Sequence, residues 1–286
     1  MKRKMRVPAL HRAAGRMLVL GMPLAAAIAS PAASGPFTYT GSAQAATGTY
    51  LSSRRTNGVY LFSGLTFSTG SWSFSAGAPL VAQSNPGLVY AGGAAIASDD
   101  DPGHDGHHRK QAESAAVPQE THSGEVGLGD PLVRADVLVL KARRHRPSMR
   151  LVAQVKAPLA TRGDHAFGTG EWDYGAGLSV AKPLGRGFVF ADATYWVLGD
   201  LPDVALENAV AYGVSYGRPI GAQKLTLLGS FIGYSRLVAG VDPPAQAGVM
   251  LGYWMRPQRS LSAGLSFGVT DSAPDVSFSL GWRVGL

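Results

Sequence analysis

The stretch APDVSFSLGWRVGL, Ala273 to Leu286, decides how the chain is read. Val276, Phe278, Leu280, Trp282, Val284 and Leu286 are apolar, while Asp275, Ser277, Ser279, Gly281, Arg283 and Gly285 between them are small or polar. Successive side chains of a β-strand point to opposite faces, so this stretch has one greasy face and one wet face. A soluble sandwich produces the same alternation. The recurrence of the pattern, its length and the address of the chain separate the two cases.

The pattern recurs back along the chain. Arg259 to Val269 sets Leu261, Ala263, Leu265, Phe267 and Val269 against Ser260, Ser262, Gly264, Ser266 and Gly268. Trp172 to Ala181, Arg150 to Leu159 and Leu132 to Lys141 alternate in the same way, and 204–217 and 223–236 are placed by spacing. Each segment runs about ten to fifteen residues. A tilted membrane-spanning strand needs about 9–11, whereas soluble strands usually have about 5–6.

The chain also begins like an exported one. Lys2, Arg3, Lys4, Arg6, Arg12 and Arg16 precede the apolar run Met17 to Ala29, which is too short to span a bilayer as a helix. Cleavage is expected after Ala45, in the triplet Ala43-Gln44-Ala45, with a site near Ala32 as the alternative. Residues 1–45 are thus read as signal peptide and 46–286 as the mature domain. The leader holds six of the 26 basic residues and none of the 19 acidic ones, so the formal charge of +7 falls to about +1 on its removal. The basic balance belongs to the leader and gives no support for nucleic-acid binding. Cysteine is absent, which excludes disulfides and thiolate chemistry. Charged residues make up only 16% of the chain and glycine is frequent at 37 residues, against a charged share of about 25% in soluble domains.

Connection lengths point the same way. Counted back from a periplasmic C-terminus, Arg143–Pro147, Pro183–Gly187, Gly217–Ala222 and Pro257–Arg259 are short. The intervening set, Leu159–Gly170, Leu237–Pro243 and a long loop at 84–128, is more variable. Short periplasmic turns and longer outer loops characterise outer-membrane barrels. Nine strands follow Gly129, and 59–68 and 72–82 add two more around the Thr69-Gly70-Ser71 turn. Bacterial single-chain barrels have even strand numbers. A twelfth strand is therefore expected, either near Thr47–Ser53, which keeps that turn periplasmic, or at Leu88–Ile96. The reading is an all-β, transmembrane, antiparallel up-and-down β-barrel of about twelve strands in the cell outer membrane.

The same residues resemble an outer-membrane family known as "MetA-pathway of phenol degradation". The likeness is strongest at VKAPLATRGDHAFGTGEWDYGAGLSVAKPLG (155–185), with further matches at SWSFSAGAPL (71–80), VGLGDPLV (126–133), YWVLGD (195–200) and SAPDVSFSLGW (272–282). Two positions depart from the family pattern: Leu159 stands where Thr is usual, and Leu286 where the last residue is normally aromatic. The resemblance implies a barrel, an outer-membrane location and a transport role. Its implied partners are outer-membrane lipid and lipopolysaccharide, the barrel-assembly machinery and a small solute.

With the apolar faces toward lipid, Arg134, Asp136, Arg150, Lys156, Asp173, Asp192, Glu207 and Arg283 are expected to line the lumen. On the lipid face each Lys or Arg would cost about 2–4 kcal/mol at mid-membrane. Lys156 and Asp173 flank the 159–170 loop symmetrically, so they are expected to pair across strands near the outer mouth, shaping a constriction or holding the hairpin register. Twelve strands predict a narrow path, and a lining of mixed sign predicts weak ion selectivity. The functional expectation is passive passage of small solutes, including aromatic or hydrophobic ones by the family's name alone.

Two rival classes stand beside it. A closed barrel serving as a structural or adhesive surface protein has the same sequence pattern. A lipid hydrolase needs a serine held against a general base, yet His11, His104, His107, His108, His122, His145 and His165 all fall outside the predicted strands. The run DDDPGHDGHHRK (99–110) offers histidines and aspartates without a tight metal-ligand spacing. No enzyme activity, cofactor or metal is expected.

Overall fold

The computed structural model describes residues 35–50, 55–84, 88–91, 94–97, 125–143, 146–160, 167–200, 206–221 and 224–286. Fifteen strands are present among them: β1 (Phe37–Gly48), β2 (Thr56–Thr69), β3 (Trp72–Gln83), β4 (Leu88–Ala91), β5 (Ala94–Ala97), β6 (Glu125–Leu128), β7 (Leu132–Leu140), β8 (Ser148–Lys156), β9 (Asp173–Leu184), β10 (Gly187–Val197), β11 (Ala209–Ile220), β12 (Leu225–Tyr234), β13 (Ala245–Arg256), β14 (Arg259–Gly268) and β15 (Val276–Gly285). All pairings are antiparallel. Each wall strand pairs with the next one along the chain, and β1 closes the ring onto β15, with Tyr39 opposite Val284 and Ala45 opposite Phe278. β6 and β7 lie end to end along β3, so the wall has twelve staves. β4 and β5 form a separate hairpin.

Alternation explains why these residues form a closed wall. On the outer face Val133, Leu151, Tyr174, Tyr195, Val214 and Phe278 are each about half exposed, and the belt continues around the ring. On a soluble protein so large an apolar surface would drive association; in lipid it is the favourable face. No helix among the described residues is long and apolar enough to cross a membrane. A closed barrel satisfies the backbone groups of its wall strands within the protein, which the hydrocarbon interior requires.

Phe37, the Gly70 turn and Leu286 share one end: Ser68 N–H donates to Pro36 O at 2.8 Å and Leu286 N–H to Phe37 O at 3.0 Å. The turns at this end are short. Gly70 (φ 53°) and Gly185 (φ 58°) reverse the chain in a left-handed conformation that a side chain would resist. The β8–β9, β10–β11 and β12–β13 connections leave their strands at the opposite end.

Two expectations change in detail. The twelfth strand does come from the N-terminal side, but it spans Phe37–Gly48 rather than 47–53. Its outward face carries Phe37 and Tyr39 but then only Gly41, Ala43 and Ala45, so the large apolar residues that mark the other strands are confined to one end of it. β1 also contains Ala43-Gln44-Ala45, so a chain starting at Ala46 would keep only Ala46–Gly48 of this strand. The stretch expected as one long loop at 84–128 contains β4, β5 and β6, and its Asp/His-rich run lies outside the described residues. Leu128 points outward and Leu132 inward although both are even-numbered, because Gly129–Pro131 interrupts the strand and inverts its phase.

Candidate functional site

The interior of the barrel gathers the charges. Arg134 and Asp136 on β7, Lys156 on β8, Asp173 on β9 and Asp192 on β10 all occupy inward positions and are 7% exposed or less. Arg150 on β8 points the same way, with its side chain 14% exposed. Arg283 on β15 is half-buried near the periplasmic end, with Thr40 and Ser260 as its register partners. Glu207 does not join them. It is exposed and precedes β11, because the chain there is a connection rather than a strand.

Near the outer end the expected pair is present. Lys156 and Asp173 are direct register partners on β8 and β9, and Lys156 Nζ lies 3.1 Å from Asp173 Oδ2. A third member, which periodicity does not announce, joins them: Asp130, in the β6–β7 break, accepts from the same Nζ at 2.8 Å. Nζ also donates to Thr169 Oγ1 at 2.7 Å. The remaining carboxylate oxygens hold backbone. Asp130 Oδ1 accepts from Ala160 N–H at 2.9 Å, and Asp173 Oδ1 accepts from Gly199 N–H at 3.0 Å. One ammonium thus fastens the β6–β7 break, the end of β8, the β8–β9 connection and the β10–β11 connection. Phe167 of the β8–β9 connection is 3% exposed, and its backbone oxygen lies near Gly129 of the β6–β7 break.

A second cluster lies deeper. Asp136 Oδ2 accepts from Arg150 Nη1 at 2.8 Å, and Asp136 Oδ1 lies 3.6 Å from Arg134 Nε. Arg134 is within electrostatic reach of Asp192 as well. Around this triad the described residues leave buried polar atoms without a protein partner: both oxygens of Asp192, both amide atoms of Gln154, Arg134 Nη1 and Arg150 Nε. Buried polar groups normally have partners, so this face of the interior is suited to held water.

At the outer mouth Leu132, Trp196, Leu198, Ala209, Ala211, Tyr234 and Leu237 form an apolar cluster inside the wall. Two connections meet over it through the Leu206–Val238 bridge and a hydrogen bond from Glu207 N–H to Leu237 O at 2.8 Å. Strand periodicity assigns Trp196 only to an inward position. What it packs against depends on loops that no periodicity describes. Among the described residues no group of three His, Asp or Glu side chains is arranged for a metal. All seven histidines, from which a hydrolase would have to draw its general base, lie outside the described residues.

Comparison with known proteins gives one family and a set of folds. The family model described as "Putative MetA-pathway of phenol degradation" matches residues 30–284. No curated protein matches the chain. Among solved structures, the COG4313 outer membrane channel from Pseudomonas putida F1 has a TM-score of 0.63 at 10% identity, covering 89% of this chain and 97% of that one. The NanC porin has a TM-score of 0.49 at 9% identity, covering 87% of this chain and 100% of that one. The KdgM porin, solved with an oligogalacturonate, gives 0.49 at 8% identity, with 87% and 98% covered. The first of these likenesses identifies the fold as that of an outer-membrane barrel.

Proposed function

The chain belongs to the MetA-pathway of phenol degradation family, and from that premise we propose that it is an outer-membrane channel for passive passage of small solutes. The observation that carries this reading is the closed twelve-stave wall with an apolar outer belt and a polar interior. Lipid contacts the outer belt, lipopolysaccharide meets the loops of the outer end, and β15 is the strand presented to the barrel-assembly machinery. The protein acts by selection rather than by chemistry. Twelve strands enclose a narrow lumen, and the inward charges Arg134, Asp136, Arg150, Lys156, Asp173 and Asp192 thicken one side of it. Arg283 lines the lumen near its periplasmic end. In this reading the mature chain starts upstream of Phe37, with signal cleavage near Ala32, supported by the place of β1 in the closed wall.

Planar-bilayer recording of the mature protein across a range of salt concentrations tests this reading. Discrete conductance steps are expected. A folded barrel that never conducts would favour the second reading, a sealed structural barrel, which the packed interior clusters would suit.

A further inference from the structure

The exposed charges are sorted between the two ends of the barrel. At the short-turn end, four successive hairpins each carry a pair of exposed cations. The β7–β8 hairpin has Arg143 and Arg146, β9–β10 has Lys182 and Arg186, β11–β12 has Arg218 and Lys224, and β13–β14 has Arg256 and Arg259. The exposed carboxylates among the described residues, Glu171, Asp200, Glu207, Asp242 and Asp271, all belong to connections at the other end. No ion pair among the described residues includes any of the eight cations. Two of the pairs are set directly against each other. Arg256 and Arg259 are register partners, and Arg143 and Arg146 exchange backbone hydrogen bonds of 3.1 and 3.2 Å. Like charges opposite each other destabilise a hairpin, so this rim weakens the barrel when it stands alone. Two further cations lie at lipid depth. Lys182 and Arg218 take outward positions on β9 and β11, Lys182 beside Leu184 and Arg218 between Tyr216 and Ile220, and these three neighbours are exposed members of the outer belt. Long basic side chains lay their stems along apolar surface and carry the charge to its edge. Tyr216 marks that edge as the headgroup level, where the tyrosines of membrane proteins collect.

We propose that this basic rim docks on anionic phospholipid headgroups, those of phosphatidylglycerol or cardiolipin, in the leaflet at the short-turn end. The proposal rests on the membrane location of the barrel and not on conduction. A headgroup phosphate sits at the depth of Lys182 and Arg218. It supplies the counter-charge that the protein withholds from Arg256 and Arg259, and it accepts charge-assisted hydrogen bonds from their guanidinium groups. An acidic soluble partner would meet the turns but not the two cations that face the belt. The contact is confined to one arc, because the Thr69-Gly70-Ser71 turn and the Phe37 end of β1 carry no exposed cation. The carboxylates of the other end repel the same headgroups, so the charge pattern also favours one orientation of the barrel in the bilayer. Attraction of this kind falls off within a Debye length of the surface and weakens with salt.

Native mass spectrometry of the delipidated barrel in a neutral detergent tests the docking. Phosphatidylglycerol, phosphatidylethanolamine and lipid A are titrated separately, and the bound lipid is counted. Two double variants, Arg256→Gln with Arg259→Gln and Lys182→Gln with Arg218→Gln, remove charge from the rim. Arg236→Gln, at an exposed cation of the β12–β13 connection, is the control. Each variant is first checked for the heat-modifiable gel mobility of a folded barrel. The unaltered protein is expected to bind phosphatidylglycerol several-fold more tightly than phosphatidylethanolamine. Each double variant should lose most of that preference, and Arg236→Gln should keep it. Raising the ionic strength should weaken phosphatidylglycerol binding by the unaltered protein, a measurement that needs no variant. Equal binding of the two phospholipids, no response to salt, an unchanged preference in either double variant, or an equal loss in Arg236→Gln would overturn the docking. Tighter binding of lipid A than of phosphatidylglycerol, lost in the rim variants, would assign the rim to the lipopolysaccharide leaflet and overturn the one named here. Bound lipid is counted without current, so a folded barrel that never conducts would count against the channel reading alone.

Discussion

Lys156 Nζ stands 3.1 Å from Asp173 Oδ2 across a direct register pair, and the same ammonium lies 2.8 Å from Asp130 Oδ2. All three side chains are 5% exposed or less. Bringing charges out of water costs several kcal/mol per ion, which pairing offsets only when the geometry and the extra hydrogen bonds are good. Here both are good, and the cluster holds four segments of the outer end together.

Removing the cation should therefore cost more than removing either anion. Lys156→Met leaves two buried carboxylates facing each other and is expected to lose about 3–5 kcal/mol. Asp173→Asn leaves Lys156 still paired with Asp130 and should lose less. Exchanging the charges, Lys156→Asp with Asp173→Lys, would preserve stability if only two residues were involved. With Asp130 as third member the exchange sets Asp against Asp, so the barrel should weaken and recover when Asp130→Asn is added. Urea midpoints of the folded barrel decide this, and full stability of the simple exchange would refute the three-way clasp.

On the lipid face, Gly41 of β1 lies under the indole of Trp282 on β15, where a Cβ would meet the ring. Gly41→Val is expected to push Trp282 off the wall and to cost about 1–3 kcal/mol, the usual penalty for overpacking. Ala43, the next outward residue of the same strand, provides the control, since its register partners are Leu280 and Leu61 rather than Trp282. A changed indole emission for Gly41→Val but not for Ala43→Val is the expected signature.

The Gly41 site also shows why some of the fold can be read in the sequence and some cannot. β15 declares itself because its outward residues are large and its inward ones small. β1 declares itself less clearly, since beyond Tyr39 its outward residues are small and Trp282 of its neighbour covers Gly41. The Lys156–Asp173 pair is legible because both residues flank one hairpin connection at matching distance. Asp130 is not, because it turns inward only where Gly129–Pro131 breaks the alternation. Glu207 misleads because it stands just ahead of a strand pattern that begins at Ala209. Periodicity describes regular wall, and the site is built where the wall is interrupted.

Packing and hydrogen bonding can be separated in the mouth cluster. Trp196 is 1% exposed, and its Nε1 has no partner among the described residues. Trp196→Ala should cost about 3–5 kcal/mol through the cavity it leaves, and should raise conductance by loosening the connections bridged at Leu206–Val238. Trp196→Phe keeps most of the packing and deletes an unpaired donor, whose burial itself carries a penalty. Its loss should be the smaller by far. Similar losses in urea titrations of the two variants would mean that the indole N–H, not the ring, matters.

At the N-terminal boundary β1 has ladder partners on both sides, β15 and β2, so its loss opens the ring and leaves two edges facing hydrocarbon. Unpaired backbone groups in lipid cost several kcal/mol each, far more than a barrel's side-chain contacts can offset locally. N-terminal sequencing of the protein from outer membranes should therefore begin upstream of Phe37, near Ala33. A version starting at Ala33 should fold in detergent with heat-modifiable mobility, whereas one starting at Ala46 should not. Recovery of folded, membrane-embedded protein beginning at Ala46 would mean that the ring closes without β1, and β15 would then have to pair directly with β2.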